Sequence, residues 1–476
     1  MKKTKIICTL GPSSNTEEVI RELINNGMNV ARLNFSHADH EEHLGRIKIV
    51  KKLREEMNVP VALLLDTKGP EIRVKNFKDG SIYLNNGDEF ILTNEDILGD
   101  QTKVSLTYSK LPQEVFAGCT ILIDDGKLEL LVTSTDEKNI YCKVIHGGKV
   151  SNHKGVNVPS VHLTMPYLSD VDKRDLLFGI QQDVDYVAAS FVRTKEDVQD
   201  IRKFLNENGG EDIRIISKIE NQEGIDNFEE ILELSAGIMV ARGDMGVEVD
   251  YEKLPGIQKR FISKCLLKGR IVITATQMLD SMINNPSPTR AEISDVANAI
   301  FDGSSAIMLS GETANGKYPI ETVKAMKRIA LRAEQDAFEI GSYDKIFNDD
   351  TGLDSTGAIS HATCTMAKDL KAKAIITITK SGITARRVSR FRPKEKIIAS
   401  TPDKKVFNQL ALSWGVYPVL SEPQNTTDEL FAHAVKCAKE KGYVSNGDTV
   451  VITAGVPLGV SGNTNILKVV SVNDEN

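Results

Sequence analysis

Eight short runs of apolar, largely β-branched residues recur in the first two thirds of this 476-residue chain, and none alternates with polar residues. They cover residues 4–9, 28–33, 61–66, 185–190, 213–217, 236–241, 271–275 and 305–309. A strand with one wet face alternates; a strand apolar at every position is buried on both faces, as in a parallel sheet. Amphipathic stretches such as 16–26, 41–57, 195–208 and 225–234 lie between the runs. Eight buried strands with helices between them predict an α/β fold, a (β/α)8 TIM barrel.

One connection is too long for that pattern. Residues 67–184 separate the third and fourth runs, far more than a crossover helix needs. Within them, strands predicted at 81–84, 89–92, 128–133 and 140–145 are punctuated by Asn86-Gly87-Asp88, Asp125-Gly126-Lys127 and Gly147-Gly148. This reads as an inserted all-β lid leaving the C-terminal end of strand three, the face where barrels carry their sites. A polar stretch at 341–354 precedes a third pattern: a helix at 355–370, then strands near 373–378, 396–400, 416–420, 448–453 and 466–472. That is an open α/β sheet. The expected domains are a barrel of residues 1–69 and 167–341, a β-barrel lid of 70–166 and an α/β regulatory domain of 342–476.

The ends of the barrel strands carry the chemistry. Strand two runs into Arg32, Asn34 and Ser36, and strand three into Asp66-Thr67. Strand five ends at Lys218 and Glu220, strand six at Arg242-Gly243-Asp244, strand seven at Thr276 and strand eight at Ser310-Gly311-Glu312. Polar residues cap strands at any loop, but charge at so many ends of one barrel converges on one mouth. Glu220 and Asp244 are hard oxygen ligands on adjacent strands, suited to Mg²⁺ or Mn²⁺ held partly by substrate. Lys218, two residues before Glu220, projects to the same face and suits developing negative charge. Arg32 and Arg73 suit a phosphoryl group, which guanidinium binds bidentately. Asn34, Ser36, Asp66 and Thr67 offer oxygens with one formal charge, more like a monovalent-cation site than a second Mg²⁺ cage.

Other signals exclude more than they reveal. The run 311–318 nearly matches a P-loop, but Tyr318 stands where the loop needs a hydroxyl. His37, His40 and His43 recur every third residue, yet no Cys or further His lies close by. His40 and His43 read as a solvated helix face, and His37 as the one nearer the mouth. A formal charge of −7 and 5% aromatics exclude a general nucleic-acid binder. No apolar run is long enough to span a membrane, and Gly11-Pro12 ends the N-terminal apolar run too soon for a signal peptide. Six scattered cysteines without a C-x-x-C argue for a reducing, cytoplasmic setting.

Several long motifs, in order, resemble the pyruvate kinase family over essentially the full length. They include Asn29-Val30-Ala31-Arg32-Leu33-Asn34-Phe35-Ser36-His37, Leu65-Asp66-Thr67-Lys68-Gly69-Pro70-Glu71-Ile72-Arg73, Ser217-Lys218-Ile219-Glu220-Asn221 and Met239-Val240-Ala241-Arg242-Gly243-Asp244. The most specific runs from Ala275-Thr276-Gln277-Met278-Leu279 through Pro288-Thr289-Arg290 to Met308-Leu309-Ser310-Gly311-Glu312-Thr313. The resemblance implies glycolytic phosphoryl transfer from phosphoenolpyruvate to ADP, giving pyruvate and ATP, in a cytoplasmic homotetramer. It implies Mg²⁺ (or Mn²⁺) at Glu220 and Asp244, and K⁺ at Asn34, Ser36, Asp66 and Thr67. Glu71 matches the position whose Glu goes with K⁺ dependence.

It further implies Arg32, Arg73 and Lys218 around the transferring phosphoryl, and Gly243, Asp244 and Thr276 at the substrate carboxylate. Asn34, His37, Arg73 and Lys154 would contact the nucleotide. Thr276, Ser310 and Glu312 are candidates for ordering the group that protonates the enolate. Thr379, Lys380, Ser381, Gly382 and Thr384, between a strand and a helix, would hold a phosphorylated effector; by chemistry alone they read equally as a glycine turn with capping hydroxyls. Ser305 departs from the family, many of whose members carry Asp there; it opens strand eight, toward the barrel bottom. The chain is expected to lack the extra C-terminal domain of some bacterial relatives. Two other readings use the same residues. A Mg²⁺-dependent lyase acting on a pyruvate enolate would not need Arg73 and Lys154. Intact Lys218, Glu220 and Asp244 speak against a catalytically silent sensor.

Overall fold

The computed structural model describes residues 1–159, 161–343, 353–456 and 463–473. Eight parallel strands close into a barrel: Lys5–Thr9, Met28–Asn34, Ala62–Asp66, Tyr186–Ala189, Arg214–Ile219, Gly237–Ala241, Ile271–Ala275 and Ala306–Leu309. Each lies on one of the predicted runs, and closure comes from pairing of the first with the last, Lys5 opposite Ala306. Helices between the strands start on capping boxes, as at Ser169 with Asp172, Thr194 with Asp197 and Thr289 with Glu292.

Period two sorts each strand into two sets. Ile6, Cys8, Ala31, Leu33, Leu63 and Leu65 join the core shared with the surrounding helices. Ile7, Val30, Leu64, Ala188, Ile216, Met239, Ile273 and Met308 fill the lumen with Tyr186. Both sets are apolar, which explains why the runs do not alternate. Ala411 and Leu412, from the C-terminal part of the chain, plug the lumen's lower end, where the Tyr186 hydroxyl donates to the Gln409 carbonyl at 2.7 Å.

Between the third and fourth strands, a seven-stranded sheet and a two-stranded pair enclose a separate apolar core. The predicted strands appear as Ser81–Leu84, Glu89–Thr93, Leu128–Thr135 and Asn139–His146. Short strands at Ile72–Arg73, Lys103–Ser105, Thr120–Ile123, Gly148–Ser151 and Gly155–Asn157 complete the set. A bridge between Val74 and Leu106 joins the two edges of the larger sheet, so it curls toward closure. One helical turn, Leu111–Glu114, interrupts the all-β pattern. At the exit from the barrel Gly69 has φ +75°, and a Cβ there would lie 2.9 Å from Ser190 Cβ, so the turn admits only glycine. Its amide donates to Asp172 at 3.0 Å, tying the exit to the next barrel helix.

The C-terminal sheet has four parallel strands, Val416–Leu420, Lys396–Thr401, Ala374–Ile378 and Thr449–Ala454, in that spatial order. A fifth, Ile466–Ser471, lies antiparallel at the edge. Helix Ser355–Asp369 sits where it was expected. Among the described residues, no helix is long and apolar enough to cross a membrane.

The histidine reading needs correction. His40 and His43 do lie on helix His40–Glu56, but His43 is buried, stacked on Phe35 with ring centroids 4.2 Å apart. His43 Nε2 lies 3.1 Å from the His37 carbonyl. Burial, with the Arg46 charge nearby, pushes its pKa down to about 4, so the ring is neutral. The helix turns this face inward because Phe35 has already entered the core.

Candidate active site

The lumen positions explain the site. Following each strand's inward-facing set past its apolar residues leads to Thr9, Arg32, Asp66, Ser190, Lys218, Glu220 and Ser310. The same period that fills the lumen thus delivers these side chains to the barrel's upper end.

Asp66 is the hub. Its Oδ2 accepts from Arg32 Nε at 2.6 Å, and its Oδ1 lies 3.1 Å from Lys218 Nζ and 3.2 Å from Ser190 Oγ. Burial works to raise its pKa, but the Arg32 and Lys218 cations outweigh it and hold Asp66 below the usual aspartate value. Lys218 Nζ also meets Ser190 Oγ at 2.8 Å and Glu220 Oε1 at 3.0 Å. Burial alone would discharge this lysine; Asp66 and Glu220 reverse that and hold its pKa above the ordinary value. Arg32 reaches Thr9 Oγ1 through Nη1 at 2.8 Å.

Glu220 is fully buried, one residue beyond its strand. Its Oε2 accepts from the Phe191 amide at 2.6 Å, while Oε1 has no well-directed hydrogen bond. Burial pushes its pKa up to about 8, with Lys218 opposing and Asp244 adding to the rise. A carboxylate this destabilised as an anion, with only the Lys218 ammonium on its second oxygen and a second carboxylate nearby, fits a divalent cation. Among the described residues no three His, Cys, Asp or Glu side chains form a cage. Such an ion would therefore rest on two carboxylates and leave positions for substrate and water.

Asp244 corrects one expectation. Its strand stops at Ala241, and residues Arg242–Glu248 form a short helix with Asp244 in the first turn. The Gly243 amide donates to Thr276 Oγ1 at 2.8 Å. Thr276 and Gln277 are both left-handed, at φ 66° and 54°, and Arg242 braces that turn. Its guanidinium donates to the Thr276 carbonyl at 2.6 Å and pairs with Asp295 at 2.7 Å.

Glu312 is buried and clamps two loops, accepting from the Leu279 amide at 3.1 Å and the Ser310 amide at 2.7 Å. Burial raises its pKa despite those donors. Ser310 Oγ is buried without a partner among the described residues. Asn34 Oδ1 accepts from the Ser36 amide at 3.1 Å, and Asn34 lies in register with Asp66 on the next strand. Thr67 Oγ1 accepts from the Ser190 amide at 3.1 Å, and His37 is exposed on the loop after strand Met28–Asn34.

The lid residues stand apart from this cluster. Arg73 Nη2 pairs with Glu71 at 2.6 Å and its Nη1 donates to the His153 carbonyl at 2.7 Å; Lys154 pairs with Asp124 at 2.8 Å. A cleft of about 310 Å³ runs between lid and barrel past Glu71, Asp125, Asn157, Asp244 and Glu248. Asn157 Nδ2 donates across it to Glu248 at 2.9 Å.

In the C-terminal sheet, Thr379–Gly382 connect strand Ala374–Ile378 to helix Ile383–Arg390. Gly382 has φ 78° and no side chain caps this helix, which sets aside the capping-hydroxyl reading. Thr384 Oγ1 lies 2.9 Å from Thr464 Oγ1, and Lys380 and Ser381 line a cavity of about 560 Å³ beside Arg202, Arg214, Arg270 and Lys405.

The sequence reading overlooked Thr9 and Ser190, the ends of strands one and four. Ser190 links Asp66, Lys218 and the Thr67 carbonyl, the last at 2.6 Å. The signal was positional: each lies on the lumen-facing set of its strand, although a lone hydroxyl is a weak mark in composition.

Comparison with known proteins decides the family. The pyruvate kinase barrel-domain model matches residues 1–323, and the pyruvate kinase alpha/beta-domain model matches residues 357–470. The chain belongs to the pyruvate kinase family. It is 54% identical to the pyruvate kinase of Clostridium acetobutylicum, over 98% of this chain and 99% of that one. It is 52% identical to the pyruvate kinase of Staphylococcus epidermidis and 51% to that of Staphylococcus aureus, over all of this chain and 81% of theirs. Its activity is accordingly that of a pyruvate kinase, a phosphotransferase.

Proposed function

We propose that this pyruvate kinase transfers the phosphoryl group of phosphoenolpyruvate to ADP at the Asp66-centred cluster, and that its residues divide the work as follows. Arg32 and Lys218 neutralise the transferring phosphoryl. The observation that carries this is the pair of buried cations held by one carboxylate at the barrel mouth. Phosphoryl transfer is chiefly positioning and charge neutralisation, so fixed cations suit it. Arg73 and Lys154 approach the nucleotide from the lid side of the cleft, with Asn34 and His37 on the barrel side.

Glu220 and Asp244 hold Mg²⁺ or Mn²⁺, in keeping with the raised pKa of Glu220. When bound, the dication supplies charge neutralisation at the phosphoryl and enolate oxygens. Asn34, Ser36, Asp66 and Thr67 are the K⁺ ligands in this reading, supported by the pairing of Asn34 with Asp66 across adjacent strands. The substrate carboxylate lies at Gly243, Asp244 and Thr276, where the braced left-handed turn aims a hydroxyl at the first amides of a helix. The buried Ser310 hydroxyl, with Thr276, orders the proton donor to the enolate carbon, and Glu312 holds that loop.

The uncapped helix at Gly382 supports Thr379, Lys380, Ser381, Gly382 and Thr384 as a phosphorylated-effector site. Six free cysteines fit a cytoplasmic location. The division into barrel (1–69, 167–341), lid (70–166) and regulatory domain (342–476), and assembly as a homotetramer, belong to the same proposal.

The test is to mix the chain with phosphoenolpyruvate, ADP, Mg²⁺ and K⁺ and follow pyruvate and ATP. Turnover is expected to fall when K⁺ is replaced by tetramethylammonium and to stop without a divalent ion. Pyruvate released with inorganic phosphate instead of ATP would mean transfer to water and would overturn the kinase reading.

A further inference from the structure

Where the C-terminal domain meets the lower end of the barrel, a cavity of about 20 Å³ is lined by Arg270, Arg386, Arg390, Arg392, Ser413 and Trp414, and no carboxylate among the described residues lines it. Arg270 comes from the barrel and the others from the C-terminal part of the chain. Proteins rarely bury a charge without a counter-charge, and guanidinium stays protonated throughout the working pH range.

The hydrogen bonds of Arg392, Arg386 and Arg270 run to carbonyl and hydroxyl oxygens. Arg392 is 4% exposed. Its Nη1 donates to the Ser389 carbonyl at 2.9 Å, and its Nη2 to the Gly303 carbonyl at 2.9 Å and to Ser305 Oγ at 3.1 Å. Its guanidinium lies 4.6 Å from the centre of the Trp414 ring, and its Nε has no partner among the described residues. Arg386 donates through Nη2 to the Ser381 carbonyl at 2.7 Å, and its buried Nη1 has no partner among the described residues. Arg270 donates to the Glu233 carbonyl at 2.9 Å.

Burial pushes the pKa of Arg392 down to about 9, and burial with the neighbouring Arg214 and Arg270 charges does the same to Arg386. Both remain cations at neutral pH. Two neighbouring carboxylates are engaged elsewhere, Asp354 with Arg387 at 3.2 Å and Glu233 with Lys268 at 3.7 Å. Ser413 Oγ and Trp414 Nε1, on the same lining, are also buried without partners among the described residues.

We propose that this seam is a binding site for one small inorganic anion of halide size, which locks the C-terminal domain to the barrel. The room decides the size: about 20 Å³ holds one water-sized occupant, not a phosphate or a sugar phosphate. The charge decides the class: water would satisfy the donors but leave the charges of Arg386 and Arg392 uncompensated. The cavity is separate from the active-site cleft; it borders the Thr379–Thr384 loop through Arg386, which donates to the Ser381 carbonyl, but takes a different ligand class from either.

The experiment uses the full chain, with K⁺ held constant. Melting temperature is compared in potassium chloride and potassium gluconate, and crystals grown in bromide are examined for anomalous scattering. Chloride is expected to raise the melting temperature saturably, by about 2–4 °C, and bromide to give an anomalous peak between Arg386 and Arg392. Ser305→Asp places a carboxylate within reach of Arg392, so it is expected to abolish the chloride-over-gluconate difference. Equal melting temperatures in the two salts overturn the proposal. So does a chloride effect that persists undiminished in Ser305→Asp, or a bromide crystal with no peak in the seam. The bromide measurement needs no variant and decides the matter if Ser305→Asp does not fold.

Discussion

Replacing Lys218 by Met keeps the stem and removes only the ammonium. Three contacts go with it, to Asp66 Oδ1 at 3.1 Å, Ser190 Oγ at 2.8 Å and Glu220 Oε1 at 3.0 Å. Asp66 keeps Arg32 at 2.6 Å and so stays ionised. Glu220 loses the cation that opposed its rise, and its pKa climbs beyond about 8. A divalent ion compensates for that, because it displaces the same proton and no longer faces an ammonium. Metal affinity is therefore expected to change by less than about tenfold near pH 8. Turnover should fall much further. A buried, preorganised cation at a transferring phosphoryl contributes about 3–5 kcal/mol, or roughly 10²–10⁴ in kcat. The assay is steady-state kcat by pyruvate formation, alongside Mn²⁺ binding by electron paramagnetic resonance. Loss of kcat by less than tenfold, or loss of Mn²⁺ affinity matching the loss of kcat, would refute the assigned role.

Ser190→Ala removes the hydroxyl joining Lys218 to Asp66 and the Thr67 carbonyl, at a cost of about 1–3 kcal/mol. Its kcat/KM should fall about 5- to 100-fold with Mn²⁺ affinity retained; an unchanged value would make Ser190 a bystander. His43 titrates at about 4 in the fold, below its ordinary value of 6.5, so protonation favours the unfolded chain. Its contribution is complete above about pH 6.5 and is lost as pH falls toward 4, up to about 3 kcal/mol. The melting temperature of His43→Gln should therefore fall less than that of the unaltered chain between those pH values, and parallel curves would contradict this. Thr384→Ala, which breaks the contact to Thr464, should raise the concentration of sugar-phosphate activator needed for half-activation; an unaltered curve would count against the effector site.

The eight barrel strands were legible because burial on both faces leaves a local mark, an unbroken apolar run that needs no partner to be seen. The charged strand ends were legible for a related reason: residues such as Lys218 and Glu220 interrupt that run at the point where the lumen opens. Family motifs then named the chemistry, since long contiguous segments around Arg32, Asp66 and Thr276 carry identity without any contact information.

Contacts between distant segments left no such mark. Asp66 and Lys218 are 152 positions apart, and only closure of the barrel makes one carboxylate serve Arg32, Lys218 and Ser190 together. His43 read as a wet helix face because its helix is strongly polar, whereas Phe35, on the preceding loop, turns that face inward. Ser305 looked like a simple departure at the barrel bottom, yet docking of the C-terminal domain sets it against Arg392, 87 residues away. The sequence by itself determined which segments are strands and which residue types stand at the barrel mouth, because local periodicity and composition encode burial. Tertiary structure alone decided which charges are paired, which donors are left over and what faces the seam, because those depend on separations that the order of residues does not contain.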